Sequence, residues 1–317
     1  LIKDKTNYII GIDNNSTGNM DNISKFMNNG RFEFIKHDIN NTPSRSLIDR
    51  KIEQIYHLAC PASPKKYQKN PINTIKTNVL GTGNMLELAK HHRSRILLAS
   101  TSEIYGEPEI SPIPEEYNGN VNCLGIRACY DEGKRMSETM MMDYNRYYSI
   151  ETRIVRIFNT YGKNLGKKDG RVISNFIYQA LNNKDITIYG DGSQTRSFCY
   201  VDDLIDGIIK TMNSDYIYPI NLGNPNDITI NDLAIMIIKL TDSISNIVYC
   251  ELPEDDPTNR KPDITKAIKI LEWKPKINLE AGLIKFINYI KDNNKKKRNQ
   301  FVDYNQILFE YKQIVLF

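Results

Sequence analysis

The sequence predicts an α/β fold, in which a doubly wound parallel sheet carries a smaller, mixed α/β substrate-binding domain. Short apolar runs recur along the chain, and helical patterns separate several of them. Strands that alternate with helices form βαβ units, and such units make the strands of a sheet parallel. With 317 residues, the chain is long enough for one large domain or for two smaller domains that share a cleft.

The predicted strands of the sheet are short and mostly apolar, as strands buried on both faces are. In chain order they are Tyr8 to Ile12, Phe32 to Lys36, Gln54 to Ala59, Arg95 to Ser100, Glu151 to Ile157 and Pro219 to Leu222. The clearest helical patterns lie between them, at Pro71 to His91, Cys129 to Arg146 and Val201 to Met212.

An insertion and a C-terminal region supply the elements of the smaller domain. Their predicted helices and strands are Arg171 to Leu181, Ile186 to Tyr189, Thr229 to Leu240 and Ile247 to Glu251, with two further helices at the end. We predict that residues 1–158 and 197–224 form the sheet domain and that 159–196 and 225–292 form the smaller domain. The smaller domain then covers the carboxyl edge of the sheet, where open α/β folds bind ligands. Residues 293–317 are predicted to be a C-terminal extension.

The composition argues against several classes of protein. Most of the formal net charge of +4 lies in residues 293–317, so the body is close to neutral and unlike a nucleic-acid-binding protein. We interpret the basic run Lys295 to Arg298 as a solvated tail. Five cysteines without a C-x-x-C pair predict free thiols in a reducing compartment. No apolar run approaches the roughly 18 residues of a membrane span. We therefore predict a cytoplasmic protein with no membrane contact and no metal site.

Tyr130 and Lys134 are the candidate catalytic pair. On a helix they are four residues apart and share one face, so an ammonium lies beside a phenol. A neighbouring cation lowers the pKa of a phenol from about 10, which would let Tyr130 exchange a proton with a hydroxyl group near neutral pH. The alternative is an ordinary solvated helix face, because the Y-x-x-x-K spacing is common in Lys-rich proteins.

The segment that follows the first strand is a candidate nucleotide site. Asp13 ends that strand, and Asn14, Thr17 and Gly18 follow within a polar turn. A carboxylate there can accept hydrogen bonds from an adenosine ribose and would repel a 2′-phosphate, which favours NAD over NADP. The alternative is a simple turn, since Asp and Asn are common turn residues. Asp38 and Ile39 follow the next strand and could meet the adenine in the same way.

A glycine-rich phosphate loop is missing from the chain before Asp13. Such a loop cradles the pyrophosphate of a dinucleotide with backbone N–H groups at a helix N-terminus. Either the sequence lacks the true start of the protein, or the protein holds its cofactor without this loop. We favour the first interpretation, because a sheet without its central first strand leaves ladder hydrogen bonds unsatisfied.

Six segments, in order, resemble the extended short-chain dehydrogenase/reductase family that acts on nucleotide sugars, and most closely its UDP-glucuronate decarboxylases. The resemblance runs from about Tyr8 to about Lys291 and implies a Rossmann-like sheet. Its segments are Tyr56 to Pro64, Leu98 to Gly106, Arg127 to Arg135, Arg156 to Gly162, Gly192 to Arg196 and Asp255 to Asp263.

The residues after the fourth predicted strand indicate which activity the resemblance implies. Where 4,6-dehydratases of the family have an Asp, this chain has Ser102, which has no proton acidic enough to eliminate water. Glu103 is retained, whereas simple 4-epimerases typically lack it. The resemblance therefore implies NAD-dependent decarboxylation of UDP-glucuronate to UDP-xylose through a 4-keto intermediate, with NADH recycled internally. The alternatives are a 4-epimerase, a 4,6-dehydratase, or a non-catalytic nucleotide-sugar-binding protein if the glycine loop is truly absent.

The resemblance also implies residue roles. As a phenolate, Tyr130 takes the proton of the C4 hydroxyl, Thr101 hydrogen-bonds the same oxygen, Lys134 holds the nicotinamide ribose, and Glu103 acts as a base or orients a water. Besides these residues and the turn described above, the expected cofactor contacts are Leu58, Cys60, Thr77, Ala99, Thr160 and Arg171.

Substrate contacts are expected at four positions: Lys76, Asn159, Arg196 and Arg260. Arginines match phosphate oxygens in a bidentate way. By spacing alone Arg260 could equally form a surface ion pair with Asp255, Asp256 or Asp263, and the resemblance favours a phosphate. A helical Lys such as Lys76 is usually only solvated. The family commonly pairs through a four-helix interface, so we expect a homodimer.

Overall fold

The computed structural model describes residues 1–166, 169–251 and 259–294. The predicted basic tail and the alternative partners Asp255 and Asp256 lie outside these residues. All five cysteines are unpaired. Within the described ranges, no helix is both long and apolar enough to cross a membrane. In the same ranges, no group of three or more His, Cys, Asp and Glu side chains could hold a metal ion.

The strands agree with the predicted runs to within two residues. In chain order they are β1 (Ile9–Asp13), β2 (Phe32–Lys36), β3 (Gln54–His57), β4 (Arg95–Thr101), β5 (Thr152–Ile157), β6 (Thr160–Tyr161), β7 (Ile186–Tyr189), β8 (Thr195–Ser197), β9 (Cys199–Tyr200), β10 (Pro219–Leu222), β11 (Asp227–Thr229), β12 (Ile247–Cys250) and β13 (Asn259–Arg260). The sequence analysis did not predict β6, β8, β9, β11 or β13, because runs of two or three residues carry no periodicity.

The helices follow the predicted patterns, except for two helices of four residues, Arg45–Ile48 and Pro64–Tyr67, which the sequence analysis did not predict. They are α1 (Arg45–Ile48), α2 (Pro64–Tyr67), α3 (Pro71–Lys76), α4 (Thr82–His92), α5 (Ala128–Tyr148), α6 (Val172–Ala180), α7 (Val201–Asn213), α8 (Ile230–Thr241) and α9 (Thr265–Leu271). The described part of a final helix, α10, covers residues 279–294. Short 3₁₀ turns lie at Met20–Asn22, Ser24–Phe26 and Ser102–Tyr105.

The sheets are built mainly from parallel pairs. One parallel sheet has the order β10-β5-β4-β3, and β1 and β2 form a separate parallel pair. In the smaller sheets, β12 pairs with β7 and β6 with β9 in parallel, while β8 lies between antiparallel β11 and parallel β13. The predicted α/β class with parallel strands is confirmed.

Apolar side chains cover both faces of the main sheet. On one face, Ile96, Leu98 and Ile154 pack into a cluster with residues of α4 and α5. The alternate residues Leu97 and Val155 point into a second cluster, with α7 and α9. Helices on both faces explain why these strands are continuous apolar runs, since no face of the sheet is left for water.

A third apolar cluster lies outside the main sheet. It joins Phe176 and Ile177 of α6, Ile186 of β7, Leu233 of α8 and Phe286 of α10. These elements come from the two stretches assigned to the smaller domain. The boundaries between the two domains stay a prediction.

The structure differs in one respect from the predicted long helix Pro71 to His91. The helix is divided into α3 and α4 by a π turn at Thr77–Gly81. At Gly81, a Cβ atom would lie 2.6 Å from Cδ1 of Ile39, so a larger residue there would collide with the segment after β2. Short π segments inside α-helices often occur at functional sites. This one carries Thr77, an expected cofactor contact.

Candidate active site

Three of the expected catalytic residues lie at the end of β4 or just after it. Thr101 is the last residue of the strand, and its Oγ1 accepts a hydrogen bond of 3.2 Å from the backbone N–H of Glu103. This bond caps the short 3₁₀ turn that follows. Ser102 is buried in the first position of that turn. The turn therefore fixes the direction in which the Glu103 side chain leaves the sheet.

Helix α5 carries Tyr130 and Lys134 one turn apart. Both are buried, at 5% and 2% exposure. The Lys134 ammonium donates a 2.9 Å hydrogen bond to the carbonyl oxygen of Ala99 in β4. The Tyr130 ring stacks on Tyr67 of α2, with ring centroids 4.9 Å apart and an interplanar angle of 3°. Strand β4, α2 and α5 together hold the pair in a single arrangement.

The direction of the Tyr130 pKa shift corrects the sequence analysis. Burial raises the pKa of Tyr130 above its usual range, and the nearby Cys60 thiol adds to the rise, while the Thr101 hydroxyl acts in the opposite direction. Burial also lowers the pKa of Lys134. The expected lowering of the phenol pKa by Lys134 is wrong for the protein alone, because the low-dielectric pocket disfavours both charged forms.

Two arginines, Arg260, which is buried, and Arg127, which is partly buried, hold the Glu103 carboxylate. Arg127 Nη2 donates to one of its oxygens and Arg260 Nη1 to the other. Burial works to raise the pKa of Glu103, but the charges of Arg260 and Arg127 outweigh it and lower the pKa to about 2. Glu103 is therefore ionised at neutral pH.

Arg260 lies at the Glu103 end of the site. It is 3% exposed, so its side chain does not lie on the surface. Its Nη2 atom is buried and has no hydrogen-bond partner among the described residues. In the register of β8 and β13, Arg260 lies directly beside Arg196, which is also buried. The register thus brings two arginines side by side in the smaller sheet.

The other expected substrate contacts are spread over the surrounding elements. Asn159 lies between β5 and β6, and its carbonyl oxygen accepts a 2.9 Å hydrogen bond from Cys199 N. Lys76 is exposed at the end of α3.

The carboxyl ends of β1 and β2 form a polar cluster. Asn14 Nδ2 donates to Asp38 Oδ2 at 2.9 Å, and Asp13 Oδ1 accepts a 2.6 Å hydrogen bond from the N–H of Asn15. The turn folds back over this carboxylate, since a Cβ atom at Gly18 would lie 3.4 Å from Asp13 Oδ2. Oxygen acceptors and an amide at adjacent strand ends suit the hydroxyls of a ribose. The residues present therefore fit the ribose end of a dinucleotide.

The remaining expected cofactor contacts continue along the same edge. Thr77 Oγ1 lies 3.4 Å from Asn40 Nδ2, and the carbonyl oxygen of Thr17 accepts a 3.2 Å hydrogen bond from Lys66. Thr160 Oγ1 donates to the carbonyl oxygen of Phe158 at 2.9 Å. The others are Ile39, which is buried; Leu58, which is exposed; Cys60, which is partly buried; and Arg171, which pairs with Asp169.

Comparisons with known proteins identify the family. The family model described as GDP-mannose 4,6 dehydratase matches residues 1–286. UDP-glucuronic acid decarboxylase 5 of Arabidopsis thaliana is 52% identical over 283 residues, which is 89% of this chain and 82% of that protein. UDP-glucuronic acid decarboxylase 1 of Danio rerio is 48% identical over 292 residues, 92% of this chain and 69% of that protein. The chain belongs to the UDP-glucuronic acid decarboxylase family. The resemblance inferred from the six segments is confirmed.

Solved structures extend the comparison. UDP-glucuronic acid 4-epimerase from Bacillus cereus, in complex with UDP-glucuronic acid and NAD, is 28% identical with a TM-score of 0.83, covering 92% of this chain and 93% of that chain. UDP-glucose 4-epimerase of Thermotoga maritima is 24% identical, with a TM-score of 0.84. The match covers 92% of this chain and 93% of that chain, and it shows a shared fold. The family thus shares its fold with enzymes of other nucleotide sugars.

Sequence reasoning assigned no role to Arg127. It lies three residues before Tyr130 and just ahead of α5, so its side chain reaches Glu103 from the start of the helix. The signal was present in the sequence as an Arg placed one turn from the candidate tyrosine. Its partner could not be foreseen, because the contact joins residues 24 positions apart in the chain.

Proposed function

We propose that this chain decarboxylates UDP-glucuronate to UDP-xylose and uses NAD as a bound cofactor that is regenerated in each turnover. The observation that carries the proposal is the Glu103 carboxylate, ionised between Arg127 and Arg260 at the end of the strand that supplies Thr101. An ionised Glu has no proton to give to a leaving hydroxyl, which disfavours dehydration. The guanidinium groups of Arg127 and Arg260 can attract the carboxylate of the sugar.

The first step removes the proton of the C4 hydroxyl. Thr101 and Tyr130 lie side by side at the end of β4 and can hydrogen-bond one oxygen. Tyr130 accepts the proton as a phenolate. NAD would be held here by Asp13 and Lys134, and it would supply a positive nicotinamide ring that favours the Tyr130 phenolate, a hydride acceptor for C4 and, once reduced, the hydride donor. Lys134, held by Ala99, is placed to bind the nicotinamide ribose.

Decarboxylation follows from the 4-ketone. The carbon–carboxylate bond at C5 breaks, CO₂ leaves, and the electron pair moves into the C4 ketone to give an enolate. A proton then adds at C5. Because the pKa of Glu103 is about 2, its carboxyl is a poor proton donor at neutral pH. We assign it the role of orienting the water that delivers this proton. Nη2 of Arg260, which has no hydrogen-bond partner among the described residues, can donate to the sugar carboxylate.

The same edge of the sheet supplies residues for the parts of NAD and of the substrate that lie away from the reacting atoms. Asp13, Asn14 and Asp38 are proposed to hold the adenosine ribose of NAD. Arg196, buried beside Arg260, is proposed to face the diphosphate of the substrate. We further propose that the chain acts in a reducing compartment, the cytoplasm, which its unpaired cysteines suit.

Incubation of the full chain with UDP-glucuronate and NAD tests the proposal. We expect release of CO₂ and formation of UDP-xylose, followed by NMR. Tyr130→Phe should lower the rate by roughly 10²–10⁴-fold, the usual contribution of a general acid–base group. Tyr147→Phe, on the exposed side of the same helix, is the matched control and should leave the rate unchanged. Recovery of the 4-epimer alone would show a 4-epimerase instead.

We also propose that two copies of the chain pair through α3, α4 and α5. Helix α3, the π turn and helix α5 lie against one another, and their exposed apolar side chains include Ile72, Ile75, Leu80 and Met136. Exposed apolar side chains that form a patch usually mark an interaction site.

A further inference from the structure

Asp131 is a buried carboxyl group for which the proposed mechanism has no use. It follows Tyr130 in α5 and is 6% exposed. Its Oδ1 atom is buried and has no hydrogen-bond partner among the described residues. An ionised carboxylate in such a place is costly unless charges nearby compensate it, whereas a protonated carboxyl is not.

The groups that face Asp131 come from four elements. They are Glu103 from the turn after β4, Arg127 ahead of α5, Arg260 of β13, Glu132 and Cys129 of α5, and Tyr67 of α2. Burial and the charge of Glu103 raise the pKa of Asp131, the two arginines oppose them, and the result is a pKa of about 7. Burial raises the pKa values of Tyr67 and Cys129 as well, so both are neutral.

The charge of this pocket depends on whether Asp131 carries a proton. Glu132 is paired with Arg135, so with Asp131 ionised the two remaining carboxylates balance two guanidinium groups, and the pocket offers no net charge to an incoming anion. With Asp131 protonated, the pocket has a single net positive charge. That charge matches the one carboxylate of a uronate sugar.

We propose that Asp131 takes up a proton from solvent when the sugar carboxylate binds, and that it thereby sets the charge of the substrate pocket. The inference rests on the proposed function, because it needs a substrate that brings a carboxylate close to Arg127 and Arg260. The proton passes from water or buffer to an oxygen of Asp131, and no other bond changes. Asp131 is thus a residue that tunes substrate binding, and it has no contact with the reacting atoms.

The sign of the pH effect follows from this scheme. Below about pH 7, Asp131 is already protonated in the free protein, and binding takes up no proton. Above it, the bound carboxylate raises the pKa of Asp131 further, and binding takes up as much as one proton. Affinity for the substrate then falls about tenfold per pH unit above pH 7, until the pKa of the complex is reached.

Calorimetry on the Tyr130→Phe chain with NAD present measures the uptake without turnover. Titrations in buffers of different ionisation enthalpy, at about pH 6 and about pH 8, give the number of protons bound. With UDP-glucuronate we expect almost none at the lower pH and close to one at the higher. UDP-xylose has the same nucleotide but no carboxylate, and it should bind without uptake at either pH.

Two substitutions in the same background assign the proton to a residue. Asp131→Asn should abolish the proton uptake. Its Kd for UDP-glucuronate should change by no more than about twofold between the two pH values. Glu132→Gln removes the same charge one position along, on a side chain that is 42% exposed and pairs with Arg135, and should keep both effects.

Three outcomes are distinguishable. Binding of UDP-glucuronate at about pH 8 without proton uptake, in a chain that releases CO₂ before the Tyr130 substitution, overturns this inference alone. Uptake that persists in Asp131→Asn assigns the proton elsewhere and overturns it too. If UDP-glucuronate neither binds nor is decarboxylated, the proposed function fails, and this inference fails with it.

Discussion

Glu103 keeps two guanidinium groups together that would otherwise repel each other inside the protein. Each arginine contacts one oxygen of the carboxylate, and the side chain of Glu103 is only 17% exposed. Removing one member of such a buried cluster leaves an uncompensated charge, which typically costs about 3–5 kcal/mol. Glu103 therefore stabilises the fold as well as the site.

Glu103→Gln should lose stability in a pH-dependent way. The folded protein lowers the pKa of Glu103 to about 2, so the stability from its ionised form is present above the ordinary Glu value of about 4.3 and is lost as pH falls towards 2. In urea unfolding, the substitution should lower the free energy of unfolding by roughly 3 kcal/mol at neutral pH. At about pH 3 this decrease should be smaller by roughly 1–2 kcal/mol.

The control for this substitution is Glu109→Gln, which changes an exposed carboxylate in the loop that follows and should alter stability by less than about 0.5 kcal/mol. An equal loss for Glu103→Gln at both pH values would contradict the ionised carboxylate bridge.

At the scale of elements, the sequence predicted the strands and helices that carry the site but not the contacts between them. Apolar periodicity sets the position of β4, and the spacing of Tyr130 and Lys134 sets their common helix. The pKa of Tyr130 depends instead on how deeply α5 is buried against α2 and β4, which no local pattern encodes. The Glu103 contact with Arg260 joins residues 157 positions apart, and β13 is too short to be recognised from sequence.

Gly133 marks the closest approach between α5 and the π turn. A Cβ atom at this position would lie 2.7 Å from Nδ2 of Asn78, whose side-chain amide is buried within the turn. Gly133 also precedes Lys134, so any shift of the helix at this point moves the proposed catalytic pair, Tyr130 and Lys134, relative to β4.

Gly133→Ala should destabilise the protein although alanine favours helix. Overpacking of a tight contact costs about 1–3 kcal/mol of stability, whereas the higher helix propensity of alanine contributes about 1 kcal/mol. We also expect a lower kcat. The matched control is Gly83→Ala in α4, where the added Cβ atom meets only the flexible end of Met140, at 3.3 Å. That variant should be as stable as the parent or more so. Urea unfolding of both variants decides the matter, and equal stabilisation would contradict the close approach.

At the scale of the whole molecule, the site lies where three parts of the chain converge. The main sheet supplies Thr101 and Glu103, α5 supplies Tyr130 and Lys134, and the smaller sheet supplies Arg260. Helix α5 also packs against α3 and the π turn, whose outer faces carry the exposed apolar residues assigned to pairing. A second copy on this side would therefore support the same helix that positions the catalytic pair.

The last prediction concerns this pairing. Leu80 is 52% exposed and Met136 is 48% exposed, and a two-fold interface would bring each patch against its copy. A Leu80→Glu, Met136→Glu double variant places charges in an apolar interface without a partner, so light scattering should show the mass of one chain where the parent shows two. Ile244→Glu changes an apolar residue that is 83% exposed in the turn after α8, and it should stay a dimer. A parent with the mass of one chain would show that the chain does not pair. A double variant that still pairs would place the interface elsewhere. If pairing supports α5, the monomeric variant should also lose activity while it remains folded by circular dichroism.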